Sequence, residues 1–495
     1  MQAIRSVVMR KPDLELIVIE AGLIIAGVQQ PPASGEYFDV LSPDTEKVIA
    51  RVARGSAPDV EKAIAAARIG QKKWWGLAPK SREAVLLRAA DILQNEGETR
   101  YRDLLISESG GTINKARYEI YYAVDLLRTA AGESRRLYGD TFPNDRPDRL
   151  SMVFREPVGV IAVVSPYNAP LALLVKMAAF PLAAGNSVVI KPSEETPLIA
   201  LEFAKLMVEA GLPPEAISVI PGFGVECGAP LVNHKDVDGI ALTGSTATGK
   251  AIGAAAMQRM VRAQLELGGK SALLVLRDYD PVKAAKTAVQ GMFNHAGQIC
   301  MANSRIVVER PIFDAFCAAL KAECESLNVG GDLYDENTVY GPLINRKSLE
   351  KIQEHQAQAL VRGAKLLTGG NVVRGLVYQP TVLLETPRDA TVWRDESFGP
   401  ITSVVAVDSF EEAIEVANDS DFGLSSGVLT NNIQLGFKAA REIRAGAVHI
   451  GTHSFQSNAL APVGGTGFSG IGRSGGKFST EEFTEVKWVS VDLSE

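Results

Sequence analysis

From residue 156 onward, short apolar runs alternate with longer amphipathic stretches, and this alternation constrains the fold more than any other feature of the chain. Val158–Val164, Ser187–Ile190, Ala216–Ile220 and Gly239–Thr243 read as buried strands. Pro170–Ala184, Pro197–Ala210 and the stretch from Ala247 read as helices between and after them. Strands that alternate with helices form a parallel sheet covered on both faces, and such sheets bind ligands beyond the carboxyl ends of their strands. A second block repeats the pattern. Its strands are Ser271–Leu276, Arg305–Glu309, Ile401–Val407, Leu424–Thr430 and Ala447–Ile450; its helices are Pro281–Phe293, Ile312–Leu327, Lys347–Arg362, Phe410–Asn418 and Ile433–Ile443. Leu267-Gly-Gly-Lys270 lies between the blocks and has the glycines of a hinge.

The flanking segments complete an α/β architecture. Residues 57–98 and 101–133 carry helical periodicity. Residues 138–148, rich in Pro and Asp, leave the core as an excursion. Residues 485–492 read as a strand outside both blocks, so with 138–155 they form a small arm that adds a strand to another subunit. The expected division is a first domain of 1–137 and 156–266, a second of 267–478, and an oligomerisation arm of 138–155 and 479–495. The chain is expected to be a homodimer or homotetramer. The apolar run Leu16–Val28 carries Glu20 and spans 13 residues, too short to cross a membrane. It includes an expected strand at Leu23–Ala26. Arg5, Arg10 and Lys11 are followed at once by Asp13 and Glu15, unlike a transit peptide, so a cytoplasmic location is expected. A net charge of −7 argues against nucleic acid as a partner.

Chemistry is concentrated in a few strings. Gly244-Ser-Thr-Ala-Thr-Gly249-Lys250 follows a strand and opens a helix, where free N–H groups receive phosphate. It lacks the magnesium-binding Ser or Thr of a nucleotide-hydrolase loop, because Ala251 follows the lysine. Lys191-Pro-Ser-Glu194 ends a strand, and its carboxylate suits ribose hydroxyls while repelling a 2′-phosphate. There are four cysteines, with no CxxC pair and no zinc-like His spacing. Cys317 and Cys324 share a helix and read as packing residues, and Cys227 has no evident partner. Cys300, in a Gly-containing loop, fits a nucleophile or a buried structural thiol equally well when taken alone. Glu266, in an apolar stretch before two glycines, could serve as a general base, although pairing with Lys270 is the simpler reading. Gly464–Gly476 holds seven glycines in 13 residues; Phe468, Ile471 and Arg473 among them indicate an ordered loop.

Together and in order, Ser165-Pro-Tyr-Asn168, Lys191-Pro-Ser-Glu194, Thr243-Gly-Ser-Thr246, Glu266-Leu-Gly-Gly269, Gly297-Gln-Ile-Cys300, Glu396-Ser-Phe-Gly399 and the 464–476 loop resemble the aldehyde dehydrogenase superfamily. The resemblance implies two Rossmann-like α/β domains with parallel sheets and a β oligomerisation arm, the first domain binding NAD and the second catalytic. It implies Cys300 as nucleophile, Asn168 as oxyanion donor with the Cys300 N–H, and Glu266 as the base that hydrolyses a thioester, giving a free acid. It implies NAD contacts from Ser165, Tyr167, Lys191, Glu194, Gly244, Ser245, Gly249, Leu267, Glu396 and Phe398, with NADP disfavoured by Glu194 and no metal.

Within the superfamily, Gly297-Gln-Ile-Cys-Met301, Asn168-Ala-Pro170, Lys176 and the 475–488 segment resemble vanillin, salicylaldehyde and benzaldehyde dehydrogenases. Val463 stands where the family pattern has an aromatic residue. The expected pocket walls are Tyr167, Leu173, Phe293, Ile299, Met301 and Phe455, which suit an apolar aromatic or unsaturated aldehyde. The alternatives are a medium-chain or terpenoid aldehyde, or a silent family member acting as a binding protein. No arginine in these motifs offers an anchor for a second carboxylate.

Overall fold

The structure, a computed structural model, describes residues 18–494. The N-terminal charge pattern at Arg5–Glu15, and the start of the expected first domain, lie outside the described residues.

Five parallel strands form the middle of an eight-stranded sheet, in the order Arg262–Glu266, Gly239–Thr243, Val160–Val164, Ser187–Lys191, Ile217–Val219. Ser187–Lys191 and Gly239–Thr243 are buried at every position, as strands covered on both faces must be. One face packs Phe180, Phe203, Leu86 and Leu127. The other packs Val60, Ile64 and Ile252. The chain runs outward from Val160–Val164 to Ile217–Val219, then returns to the opposite side for Gly239–Thr243. The carboxyl ends of Val160–Val164 and Gly239–Thr243 therefore flank a topological switch point, where such sheets open a crevice. The segments leading to Asn168 and from Gly244 both leave from it.

The second sheet has seven strands in the order Lys365–Thr368, Thr381–Leu384, Ile401–Val407, Arg305–Glu309, Ala272–Val275, Ser425–Leu429, Ala447–Ile450, all parallel except the first. A third sheet pairs Thr484–Asp492 antiparallel with Arg149–Pro157, which also pairs with Thr141–Phe142.

Several details go beyond or against the sequence expectations. The terminal strand pairs with Arg149–Pro157, largely within the segments expected to form the arm, and leaves its outer edge open among the described residues. Gly470–Ile471 pairs with Leu265 and Glu266, so this part of 267–478 joins the first sheet. That approach requires glycine: Gly470 has φ +126°, and a Cβ there would lie 1.9 Å from the Leu265 carbonyl oxygen. The stretch 101–133 is broken by Gly110, whose left-handed backbone ends Arg102–Ser109 before Ile113–Glu133 begins. Residues 19–53 hold five short strands where one was expected.

Candidate active site

The loop that leads to Cys300 begins with a conformational oddity. After the helix Pro281–Phe293, three consecutive residues take left-handed backbone: His295 at φ 47°, Ala296 at 54° and Gly297 at 70°. Two are not glycine, at a cost of about 1–3 kcal/mol each. Gln298, fully buried, holds the segment. Its side chain donates to the carbonyls of His295 (3.2 Å) and Pro342 (3.4 Å) and accepts from the Ile344 N–H (2.9 Å). Gly297 is needed for space as well, since a Cβ would lie 2.4 Å from the Gly399 oxygen.

This segment delivers Cys300 to a cavity of about 620 Å³. Cys300 is half-buried and lines the cavity, whereas Cys227, Cys317 and Cys324 are buried. Desolvation first, then the charges of Glu396 and Glu266, push the Cys300 thiol up to about 12, against Lys176 and the Met301 N–H. Burial also pushes Cys227 to about 11 and Cys317 and Cys324 to about 12. Acidity therefore does not distinguish Cys300; access to the cavity does.

Asn168 and Glu266 line the same cavity. Asn168 Nδ2 donates to the Gln298 carbonyl at 2.9 Å, which ties its loop to the Cys300 loop and leaves the second amide hydrogen free of that bond. Glu266 ends the strand Arg262–Glu266. Its partner is Lys176, with Nζ 3.6 Å from Oε1, and not Lys270 as the sequence suggested. The two glycines after Leu267 account for this. Gly268 lies against the Glu396 carboxylate and Gly269 against the Cys300 carbonyl, and Lys270 beyond them is buried without a hydrogen-bond partner. Lys176 lies 90 residues from Glu266, so no local pattern signalled the pair.

Most of the residues expected at the dinucleotide follow the carboxyl ends of strands in the first sheet. The Ser165 N–H donates to the Lys191 carbonyl at 3.1 Å. Lys191 Nζ lies 3.2 Å from Glu194 Oε2 and donates to the Pro192 carbonyl at 2.8 Å. Gly244 precedes Ser245, the N-cap of the helix Thr246–Gln258, whose Oγ accepts from the Thr248 N–H. Lys250 stacks over the Phe468 ring, 3.4 Å from its centroid, so it does not play the lysine of a nucleotide-hydrolase loop. Gly249 and Leu267, both expected at the dinucleotide, pack on each other: a Cβ on Gly249 would lie 2.3 Å from Leu267 Cδ2. Across the crevice, Glu396 Oε1 accepts from the Gly269 N–H at 3.0 Å, and Lys351 Nζ donates to the Glu396 carbonyl at 2.6 Å. Burial pushes the Glu396 carboxyl up.

Of the expected pocket walls, Leu173, Ile299, Met301 and Phe455 line the cavity. Phe293 does not; it is 1% exposed in the core of the second domain, because the last turn of its helix faces that core. Tyr167 turns the other way and meets Phe398 edge to face at 5.9 Å. Val463, noted from the sequence as a departure from the family pattern, also lines the cavity, as do Tyr118 and Tyr122, which were not singled out. Tyr118 and Tyr122 lie one helical turn apart and stack, a spacing that could have flagged them.

A sequence profile of the aldehyde dehydrogenase family matches residues 30–489. The 3-sulfolactaldehyde dehydrogenase of Priestia megaterium is 38% identical over 480 residues, 96% of this chain and 99% of the relative. The benzaldehyde dehydrogenase of Bacillus subtilis is 36% identical over 468 residues, 94% of this chain and 96% of the relative. An aldehyde dehydrogenase from Bacillus cereus, solved as its NAD+ complex, superposes with a TM-score of 0.93 at 35% identity, covering 96% of this chain and 97% of that one.

Proposed function

The chain belongs to the aldehyde dehydrogenase family, and from that premise we propose how its own residues divide the work. It oxidises an aldehyde to the carboxylic acid with NAD(P). The crevice has a fitting donor set: an open helix N-terminus at Ser245, the Lys191–Glu194 pair, and the Glu396 carboxylate opposite. Lys191 and Glu194 hold the adenine ribose, Gly244 and Ser245 the pyrophosphate, and Glu396 the nicotinamide ribose, with Ser165, Tyr167 and Phe398 alongside. Glu194 repels a 2′-phosphate, which favours NAD over NADP. When bound, the nicotinamide supplies a two-electron acceptor.

Cys300 gives its thiol proton to solvent water, and the thiolate Sγ bonds to the aldehyde carbon as the carbonyl π bond opens onto oxygen. The oxygen that gains charge takes hydrogen bonds from Asn168 Nδ2 and the Cys300 N–H. Loss of the aldehyde hydrogen with its electron pair leaves a thioester on Cys300. Glu266 then takes a proton from water, whose oxygen attacks the thioester carbonyl; the C–S bond breaks and the acid leaves. Among the described residues Glu266 Oε1 accepts no hydrogen bond, and its ion-pair partner Lys176 stands 3.6 Å away. The convergence of Cys300, Asn168 and Glu266 on one cavity carries this reading.

The preferred substrate is an uncharged aromatic or unsaturated aldehyde. The cavity has aromatic and aliphatic walls, and its two lysines are already neutralised: Lys176 by Glu266 and Lys115 by Glu119. Among the described residues no arginine lines it. A panel of benzaldehyde, vanillin, cinnamaldehyde, citral, hexanal and succinic semialdehyde, ranked by kcat/KM from NADH absorbance, tests this. An aromatic aldehyde is expected first; succinic semialdehyde at the top would contradict the neutral-pocket argument. The sheet of Thr484–Asp492, Arg149–Pro157 and Thr141–Phe142 serves as the arm of a homodimer or homotetramer.

A further inference from the structure

We propose that Glu119 is a positioning residue for Asn168, a role that rests on Asn168 acting as the oxyanion donor. Glu119 lies on the helix Ile113–Glu133, whose first turns wall the reactive cavity with Thr112, Asn114, Lys115, Tyr118, Glu119 and Tyr122. Its side chain is 3% exposed and its two oxygens divide between two partners. Oε1 accepts from the Leu171 N–H at 2.8 Å. Oε2 lies 2.9 Å from Lys115 Nζ. Lys115 is fixed in turn: Nζ donates to Ser109 Oγ at 3.1 Å, and its stem lies along Gly111, where a Cβ would come within 2.7 Å of Lys115 Cδ.

Leu171 is the N-cap of the helix Ala172–Ala183, and its own side chain cannot cap that helix. Glu119 supplies a carboxylate there from a different helix. Leu171 stands three residues beyond Asn168, whose amide is anchored to the Gln298 carbonyl two residues before Cys300. The loop bearing the oxyanion donor is thus held at both ends, by Gln298 and by Glu119. Lys115 and Glu119 both face the cavity, so the clamp is in the wall that the substrate touches. A tie of this kind acts through the placement of Asn168 and not through binding of the dinucleotide, whose crevice lies at Lys191, Ser245 and Glu396.

The test measures the first-turnover burst of NADH, kcat, KM and the NAD dissociation constant for Glu119→Ala, Glu119→Gln, Asn168→Ala and the double variant Glu119→Ala/Asn168→Ala. Glu119→Ala is expected to slow the burst by about 10- to 100-fold, up to the scale of a misplaced reacting group and below the loss of an oxyanion donor outright. NAD affinity stays within about twofold, and the double variant stays within about twofold of Asn168→Ala, because both changes remove one function. Glu119→Gln keeps an acceptor for the Leu171 N–H and recovers most of the rate. An unchanged burst, losses that multiply in the double variant, or a Gln variant as slow as Ala overturns the role. Should Glu119→Ala not fold, Lys115→Met loosens one arm of the clamp. It is expected to slow the burst in the wild-type background only, and slowing in the Asn168→Ala background as well overturns the proposal. A wild-type burst in Asn168→Ala would instead overturn the oxyanion assignment, whatever Glu119 does.

Discussion

A Cβ on Gly268 would stand 2.4 Å from Glu396 Oε2, and one on Gly269 would stand 2.3 Å from the Cys300 carbonyl oxygen. The two adjacent glycines therefore serve different ends. Glu396 is a side chain and can swing aside, whereas the Cys300 carbonyl is backbone and can move only with the loop. Gly269→Ala is expected to lower kcat by about 100-fold, the scale of a displaced reacting group. Gly268→Ala is expected to raise the apparent KM for NAD while largely sparing kcat. Steady-state kinetics on the two variants checks this, and the reverse pattern would contradict the placement. That glycines mark close approach was legible in the sequence. What each glycine approaches was not, because Glu396 and Cys300 come from more than 30 residues away.

Two helices that follow the loops of the crevice are capped by buried carboxylates from elsewhere. Glu119 reaches the start of Ala172–Ala183, and Glu108 accepts from the Leu198 and Ile199 N–H groups at the start of Pro197–Glu209. Desolvation pushes the Glu108 carboxyl up to about 8 from its ordinary 4.5, against those two hydrogen bonds. The folded state thus holds a proton that the unfolded chain releases. The stabilisation is complete below pH 4.5 and is lost as pH rises through 8. Glu108→Gln, which does not titrate, is expected to show a shallower fall of Tm between pH 5 and 8 than the wild type. Equal slopes in calorimetry would contradict the buried proton. The sequence reading placed Gly239–Thr243, Arg305–Glu309, Ile401–Val407, Pro281–Phe293 and Phe410–Asn418 at their observed ends, since each is bounded by turn or capping residues. Arg262–Glu266 was missed as a strand because it is polar on its outer half. Thr381–Leu384 was missed as a strand as well. The left-handed run at 295–297 and the Lys176–Glu266 pair depend on contacts between distant segments, and no window of sequence displays them.

At the scale of the molecule, the switch point of the first sheet, the cavity beside it and the open-edged third sheet belong to one arrangement. The edge strand Thr484–Asp492 exposes Val486, Trp488 and Val491, and Trp488 packs near Phe142 on the same sheet. An uncovered apolar edge of this length invites pairing with another chain. Trp488→Glu is expected to shift the protein toward a smaller species in sedimentation equilibrium; an unchanged mass would contradict the arm assignment. Among the described residues no helix is long and apolar enough to cross a membrane. The account as a whole depends on Cys300 as the atom that bonds to the aldehyde. The most direct measurement is NADH formation by Cys300→Ala with saturating NAD and each aldehyde of the panel, alongside NAD binding by the same variant. The account predicts background NADH formation with NAD binding intact, and NADH formation at the wild-type rate would contradict it.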